Sequence, residues 1–304
     1  MFALTFPEYG PPSVLEVATV PEPHAGQGQV RIKVRTAAVN PFDWKIRAGY
    51  LKDMMPTQFP ATVGSDAAGV VDEVGEGVEG VSVGDEVFGV GQNATAEFTV
   101  LDHFVAKPTA LSFEQAAGIP AVAETALRTL NLLNPAAGQT LLIDGAAGGV
   151  GSTAAQFAIA DGVTVIGTAS EANHDYLRSL GVVPTTYGPG LEARVAELAP
   201  GGIDAALDTA GKGSLPDLVK ITGTPDKVVT IADFSAAEHG VRLTTGMGET
   251  QPQLALQKAV QLFEQKKLTV AVDSVFPLEE AAKAHERSEG GHVSGKIILT
   301  VTRD

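Results

Sequence analysis

Residues 141–151 read LLIDGAAGGVG. Three apolar residues run into a glycine-rich turn, and a segment of small residues, STAAQFAIA, follows at 152–160. That is the order strand, tight turn, helix. The turn fits A-x-G-x-x-G, with Ala146, Gly148 and Gly151 in the fingerprint places. Each place wants a small residue for its own reason. The chain reverses at the first, backbone lies against a pyrophosphate at the second, and helix and strand pack closely at the third. Free N–H groups and the positive end of the helix dipole then face the phosphates. The bland alternative is an ordinary strand-to-helix turn in a chain with 34 glycines. The apolar strand before it and the helical pattern after it favour nucleotide binding.

Working outward, strands and helices alternate from Thr140. Strands are expected at 140–144, 163–168, 203–208, 227–232 and 241–244, and helices at 150–160, 171–180, 191–199, 213–220 and 251–266. Alternation of this kind predicts a mostly parallel sheet with helices on both faces. Upstream, ETALRTLNLLN (124–134) is helical and ends before Pro135, and Ser112 with Gln115 forms a capping box. Residues 1–118 are rich in short strands and turns. In GQVRIKVRTAAV, Val30, Ile32 and Val34 point one way and Arg31, Lys33 and Arg35 the other. After Leu268 the pattern ends as strand, helix, strand. The expected division is a β-rich domain at 1–118, a nucleotide-binding domain at 119–267, and a return to the first domain at 268–304.

Composition narrows the function. A length of 304 residues suits two domains. A net charge of −15 argues against a nucleic-acid surface. The chain has no cysteine, which removes disulfides, thiol catalysis and cysteine-ligated zinc. The six histidines, His24, His103, His174, His239, His285 and His292, show no H-x-x-x-H or H-E-x-x-H spacing. No metal is expected, and no G-x-S-x-G elbow supports a serine hydrolase. No apolar run reaches the ~20 residues of a membrane span, and the N-terminus lacks a basic region and an apolar signal core. A cytoplasmic protein without membrane or nucleic-acid partners is expected.

The second strand of the alternating region, VTVIGT, ends at Thr168. An acid near this point usually binds the ribose hydroxyls of NAD. The deciding positions are Thr168, Ala169 and Ser170, and none is acidic. Ser170, Asn173 and His174 are placed to surround a 2′-phosphate instead, which favours NADPH. Glu171 opposes that reading unless it serves the first turn of the next helix.

Further stretches resemble a known family. VNPFDWKIRAGY (39–50), VGSDAAGVVDEVGEGV (63–78), VGDEVFG (83–89), AEFTV (96–100), ETALRTL (124–130), DGAAGGVG (144–151) and HVSGKIILTV (292–301) together resemble the zinc-independent quinone oxidoreductase branch of the medium-chain dehydrogenase/reductase superfamily, which includes zeta-crystallin. The resemblance covers nearly the whole chain. It implies an α/β protein with a GroES-like β-barrel catalytic domain, built from both chain ends, and a Rossmann domain between. Zinc-binding relatives carry a cysteine where Asn40 falls and a histidine near Ser65, together with a cysteine-rich lobe that GVGQNATAEF replaces here. Without a Lewis acid an alcohol/aldehyde reaction is hard, whereas an activated quinone or enone is already electrophilic.

The resemblance also implies roles. Asn40 lies near the nicotinamide ribose and the substrate, and Tyr50 lines the substrate mouth. Thr125 reaches the nicotinamide side. Ala147, Gly148, Gly149 and Val150 bind the pyrophosphate. Ser170, His174 and Tyr187 surround the adenosine phosphate. Asp208, Ala210 and Gly211 follow the ribose, and Ile231 and Ala232 the nicotinamide. Lys296 closes on the cofactor from the barrel. Asp43 and Trp44 fix the loop. The implied activity is hydride transfer from NADPH to a quinone or conjugated carbonyl. The alternatives are a 2-enal/enone reductase with little quinone activity and a non-enzymatic NADPH-binding protein. A homodimer is implied, with Val241 and Leu243 at the two-fold axis.

Overall fold

A computed structural model describes residues 1–246, 250–291 and 293–301. The chain divides into two compact units. One gathers Met1–Ala121, Pro252–Val260 and Val270–Asp304, the other Val122–Gln251 and Gln261–Thr269. His292, which opens the last landmark stretch, lies outside the described residues.

In the first unit the strand Val30–Val39 is the organiser. It pairs antiparallel with Asp66–Val74, Phe98–Ala106 and Lys296–Thr300. Because Glu86–Gly91 bridges Asp66–Val74 and Phe98–Ala106, these strands close on themselves. The expected alternation holds: Val30, Ile32 and Val34 are buried in the barrel core with Val71, Val87, Leu101, Ile297 and Leu299. The ring of Val30–Val39, Asp66–Val74, Glu86–Gly91 and Phe98–Ala106 has no open edge, while Lys296–Thr300 branches from it and carries Val272–Pro277 as an outer strand.

The second unit is a six-stranded parallel sheet. Its spatial order is Val183–Thr185, Thr164–Thr168, Thr140–Asp144, Ala205–Asp208, Val228–Thr230 and Arg242–Leu243. In chain order within the unit this is 3-2-1-4-5-6, the doubly wound Rossmann arrangement, whose direction switches between Thr140–Asp144 and Ala205–Asp208. The helix Gly149–Ala160 buries every residue from Gly151 to Ala158, so its small side chains serve close packing on the sheet.

Three expectations need correction. The helix predicted to start at 124 begins at Pro120 and runs to Leu133, proline being well suited to a first helical position. The reversal assigned to Ala146 is made by Gly145, at φ +81°, a backbone region that glycine enters without strain. Val241, placed at a dimer axis, is buried in the core with Leu142, Ile166 and Leu218, so its side chain supports its own sheet.

Candidate functional site

The glycine turn sits at the carboxyl end of Thr140–Asp144, beside the switch in strand order. Its three small positions differ in what surrounds them. A Cβ on Gly151 would stand 2.4 Å from the Gly145 carbonyl oxygen and 2.8 Å from the Ala146 Cα. A Cβ on Gly145 would meet Thr209 Oγ1 at 2.8 Å. At Gly148 the nearest atom would be the Gly145 oxygen, at 3.4 Å, an ordinary contact. Gly148 has φ −72° and ψ 169°, so no left-handed geometry demands a glycine there. It is a cradle that the protein leaves open.

Gly148 also caps the helix Gly149–Ala160, with no side-chain cap and no acid in the first turn. The leading N–H groups, those of Gly149 and Val150 among them, have no partner within the helix. Uncapped donors at a positive helix end, beside a position free of Cβ, fit a cofactor pyrophosphate.

Other predicted residues gather on the same carboxyl ends. The Gly145 turn abuts Thr209 and Ala210, and a Cβ on Gly211, at φ +61°, would meet the Ala232 carbonyl oxygen at 2.6 Å. Thus Ala147–Val150, Ala210–Gly211 and Ile231–Ala232 form one rim. Asp208 sits beneath it. Its Oδ1 accepts from the Ala210 and Gly211 N–H groups, each at 2.9 Å, and its Oδ2 accepts from Thr230 Oγ1 at 2.7 Å. Burial pushes its carboxyl up, and these donors pull it back. Asp208 therefore shapes the rim from inside. Asp144 does the same for the first turn, accepting from Ser214 Oγ at 2.7 Å and from Thr168 Oγ1.

This arrangement changes the coenzyme reading. Thr168 is fully buried against Asp144, and Ala169 is 5% exposed with its N–H bonded to Thr185. Ser170 is the first of the three with an accessible side chain, and it accepts from Asn173 Nδ2 at 3.2 Å. His174 Nε2 is buried without a hydrogen-bond partner. Tyr187 is 55% exposed and follows the neighbouring strand Val183–Thr185. Arg194 holds its loop, donating to the carbonyls of Thr186 at 2.8 Å, Tyr187 at 3.3 Å, Gly188 at 3.2 Å and Pro189 at 2.8 Å. Thr125 is not joined to this group. It lies on Pro120–Leu133 beside a buried Glu124–Arg128 pair, and Arg128 also donates to Thr244 Oγ1.

Asn40, Tyr50 and Lys296 belong to the barrel unit. Asn40 precedes the helix Pro41–Arg47 in an extended conformation, as a residue before proline prefers. Its backbone N–H donates to Asp43 Oδ2 at 2.8 Å, which gives Asp43 the structural role expected of it. The register Ile297↔Val39 brings Lys296 alongside Asn40, and Ala67↔Ala37 brings in Asp66. Asn40 Nδ2 donates to Asp66 Oδ2 at 3.0 Å, and Lys296 Nζ donates to Asn40 Oδ1. Asp66 also accepts from the Ala121 N–H at 3.1 Å and Ser65 Oγ at 3.0 Å. All four long side chains are buried. Burial pushes the Asp43 carboxyl up to about 7 and raises Asp66 as well. Burial lowers the Lys296 ammonium, against the pull of Asp66 and Asp43. Tyr50 stands apart, 72% exposed, its ring edge-to-face with Trp44 at 5.7 Å. Among the described residues, no three His, Asp or Glu side chains cluster as a metal site.

Sequence reasoning missed the part played by Asp66, the Asp144–Thr168–Ser214 set and the Glu124–Arg128 pair. The available signal was a charged residue bounding an apolar run, as in LLID and in Asp66 before AAGVV.

Comparison with known proteins agrees with this architecture. The alcohol dehydrogenase GroES-like domain model matches residues 26–125, and a zinc-binding dehydrogenase model matches residues 187–299. The chain is 30% identical to a chloroplast envelope quinone oxidoreductase homolog of Arabidopsis thaliana, over 98% of each chain. It is 31% identical to an Arabidopsis thaliana NADPH-dependent alkenal/one oxidoreductase, covering 98% of this chain and 79% of that one. A mycobacterial protein solved in complex with NADPH superposes with a TM-score of 0.84 at 28% identity, covering 99% of this chain and 100% of that one.

Proposed function

The chain belongs to the quinone oxidoreductase branch of the medium-chain dehydrogenase/reductase superfamily, and we propose that it is a zinc-independent, NADPH-dependent reductase of quinones or related conjugated carbonyls. The observation that carries this reading is the open cradle at Gly148 over an uncapped, acid-free helix N-terminus. When bound, NADPH supplies the hydride, and solvent supplies the proton that completes reduction of the acceptor. The residues of this chain bind and orient. Ala147 to Val150 hold the pyrophosphate, and Ala210, Gly211, Ile231 and Ala232 form the rim that follows the ribose and nicotinamide. Ser170, His174 and Tyr187 face the adenosine phosphate. His174 supports this, because its orphaned Nε2 needs a partner that a phosphate oxygen provides.

The choice of acceptor follows from the residues where zinc-binding relatives carry ligands. By the resemblance, Asn40 falls at one of those places and Ser65 near another; both donate to Asp66, and neither offers a thiolate or imidazole. An acceptor that is already electrophilic suits such a site. Catalysis is then mainly positioning and exclusion of water. The similarity to an alkenal/one oxidoreductase favours enals and enones as the second acceptor class. We also infer a homodimer formed through the sheet edge at Arg242–Leu243.

The deciding experiment is NADPH oxidation with a panel of acceptors, namely a naphthoquinone, a 2-enal and an alkyl enone, with and without a chelator. Turnover of quinone that survives chelation supports the proposal. Retention of NADPH without oxidation above the solution rate, for every acceptor, overturns it in favour of a binding protein.

A further inference from the structure

We propose that Lys296 and Asp66 are positioning residues that fix the direction of the Asn40 carboxamide, so that Asn40 meets its ligand through one remaining Nδ2 hydrogen. This rests on the reductase reading and adds to it two residues that act through a third.

A carboxamide is nearly symmetric in shape but not in hydrogen bonding. Its oxygen only accepts and its NH₂ only donates. The partners therefore choose the orientation. An ammonium has three donors and no acceptor, and a carboxylate only accepts. Lys296 Nζ faces Oδ1, and Asp66 Oδ2 faces Nδ2 at 3.0 Å. Reversal would set NH₂ against NH₃⁺ and oxygen against carboxylate, in a place where Asn40 is 6% exposed, Lys296 5% and Asp66 0%. Two buried mismatches of that kind leave one orientation.

The surroundings hold each member in place. Asp66 is anchored by the Ala121 N–H and by Ser65 Oγ. The Asn40 backbone is anchored by Asp43 through both its N–H and its carbonyl. One glycine precedes Lys296 in the chain and another faces its stem. Gly295, at φ +101°, is so close to Ala271 that a Cβ would lie 2.3 Å from its carbonyl oxygen. A Cβ on Gly118 would lie 3.2 Å from Lys296 Cγ. The strand register, the two glycines and the buried carboxylate thus direct the ammonium to Asn40. This replaces the expectation that Lys296 itself closes on the cofactor.

What remains to the amide is one Nδ2 hydrogen. A directed donor suits an oxygen that gains negative charge, such as a carbonyl under reduction. Asp66 and Lys296 contribute by preventing the amide from turning its oxygen toward that atom.

The test uses the full-length ¹⁵N-labelled protein and three measurements. The Asn40 side-chain amide signal is assigned by its loss in Asn40→Ser. In Lys296→Met this signal should shift, and its exchange with water should speed up at least tenfold. The Kd for NADPH should stay within twofold of wild type. The kcat for a naphthoquinone should fall at least tenfold with the KM for NADPH unchanged. An unchanged Asn40 amide overturns the proposal. So does a tenfold rise in the NADPH Kd with kcat intact, which would make Lys296 a direct cofactor ligand. If Lys296→Met does not fold, Gly118→Ala presses on the lysine stem without removing it, and Asp66→Asn removes the opposing charge. The same amide readout decides with either. Because the amide signal needs no turnover, a wild-type protein inactive toward every acceptor would defeat the reductase reading while the positioning claim stands or falls on its own.

Discussion

Gly151 packs so closely on the Gly145 carbonyl that a Cβ on it would lie 2.4 Å from that oxygen, whereas a Cβ on Gly148 would have 3.4 Å. The two glycines of one turn therefore answer to different needs. Gly151→Ala should destabilise the protein by about 1–3 kcal/mol, as overpacking does. Gly148→Val should leave circular dichroism and the melting temperature nearly unchanged and raise the NADPH Kd by about two orders of magnitude, through lost charged hydrogen bonds of ~1.5–3 kcal/mol each. Thermal melts and NADPH titration on the same samples check both. A folded Gly148→Val protein that binds NADPH normally would remove the cofactor site from this turn.

Coenzyme preference should be set at Ser170. Thr168 and Ala169 are buried, so an acid at either would meet protein before it met ribose. Ser170→Asp offers a carboxylate to the ribose hydroxyls and repels a 2′-phosphate. The ratio of kcat/KM for NADPH over NADH should fall by at least about tenfold, ~1.4 kcal/mol. An unchanged ratio would place the adenosine phosphate elsewhere.

Arg194 should matter for the cofactor although it was absent from the expected site. Its guanidinium gathers the carbonyls of Thr186 to Pro189 and so fixes the segment that presents Tyr187. Arg194→Ala should raise the KM for NADPH several-fold with kcat little changed, since it removes binding shared by ground and transition states. Steady-state kinetics with NADPH varied test this, and a loss confined to kcat would contradict it.

His285 should govern the acid limb of stability. It is 1% exposed, and burial followed by the charge of Arg47 lowers its pKa to about 3 from 6.5. The unfolded chain takes up a proton below pH 6.5 that the folded chain refuses, so this contribution is complete above 6.5 and is lost as pH falls toward 3. The slope approaches about 1.4 kcal/mol per pH unit. Asp43 acts in the opposite sense, because its raised pKa of about 7 makes the folded chain bind the extra proton, and stability falls as pH rises from 3.8 to about 7. The two are separated by substitution. Denaturant melts of His285→Leu between pH 7 and 4 should show a shallower acid loss than wild type, and parallel curves would reject the assignment.

Much of the architecture was legible in the sequence. The alternation at Val30–Val34 named the buried face of the barrel strand, and the LLIDGAAGGVG turn, followed by alternating strands and helices, named the parallel sheet. Both signals are local. Strand periodicity and turn chemistry are properties of residues adjacent in the chain, and the backbone enforces them wherever the segment lies. The candidate cofactor turn could be found for the same reason.

The buried cluster could not be found that way. Asn40 and Lys296 are 256 residues apart and meet only because the last strand pairs with the barrel's organising strand in one register. Asp66 enters from a third segment, and its partner Ala121 from a fourth. Nothing along the chain marks Lys296 as pointing inward to an amide rather than outward to a phosphate. A one-residue slip would turn every side chain to the other face. The sequence by itself determined which segments become strands, helices and the glycine-rich turn between them. The tertiary structure alone decided which polar side chains are buried together, because that choice depends on register and on the cost of leaving a buried charge without a partner.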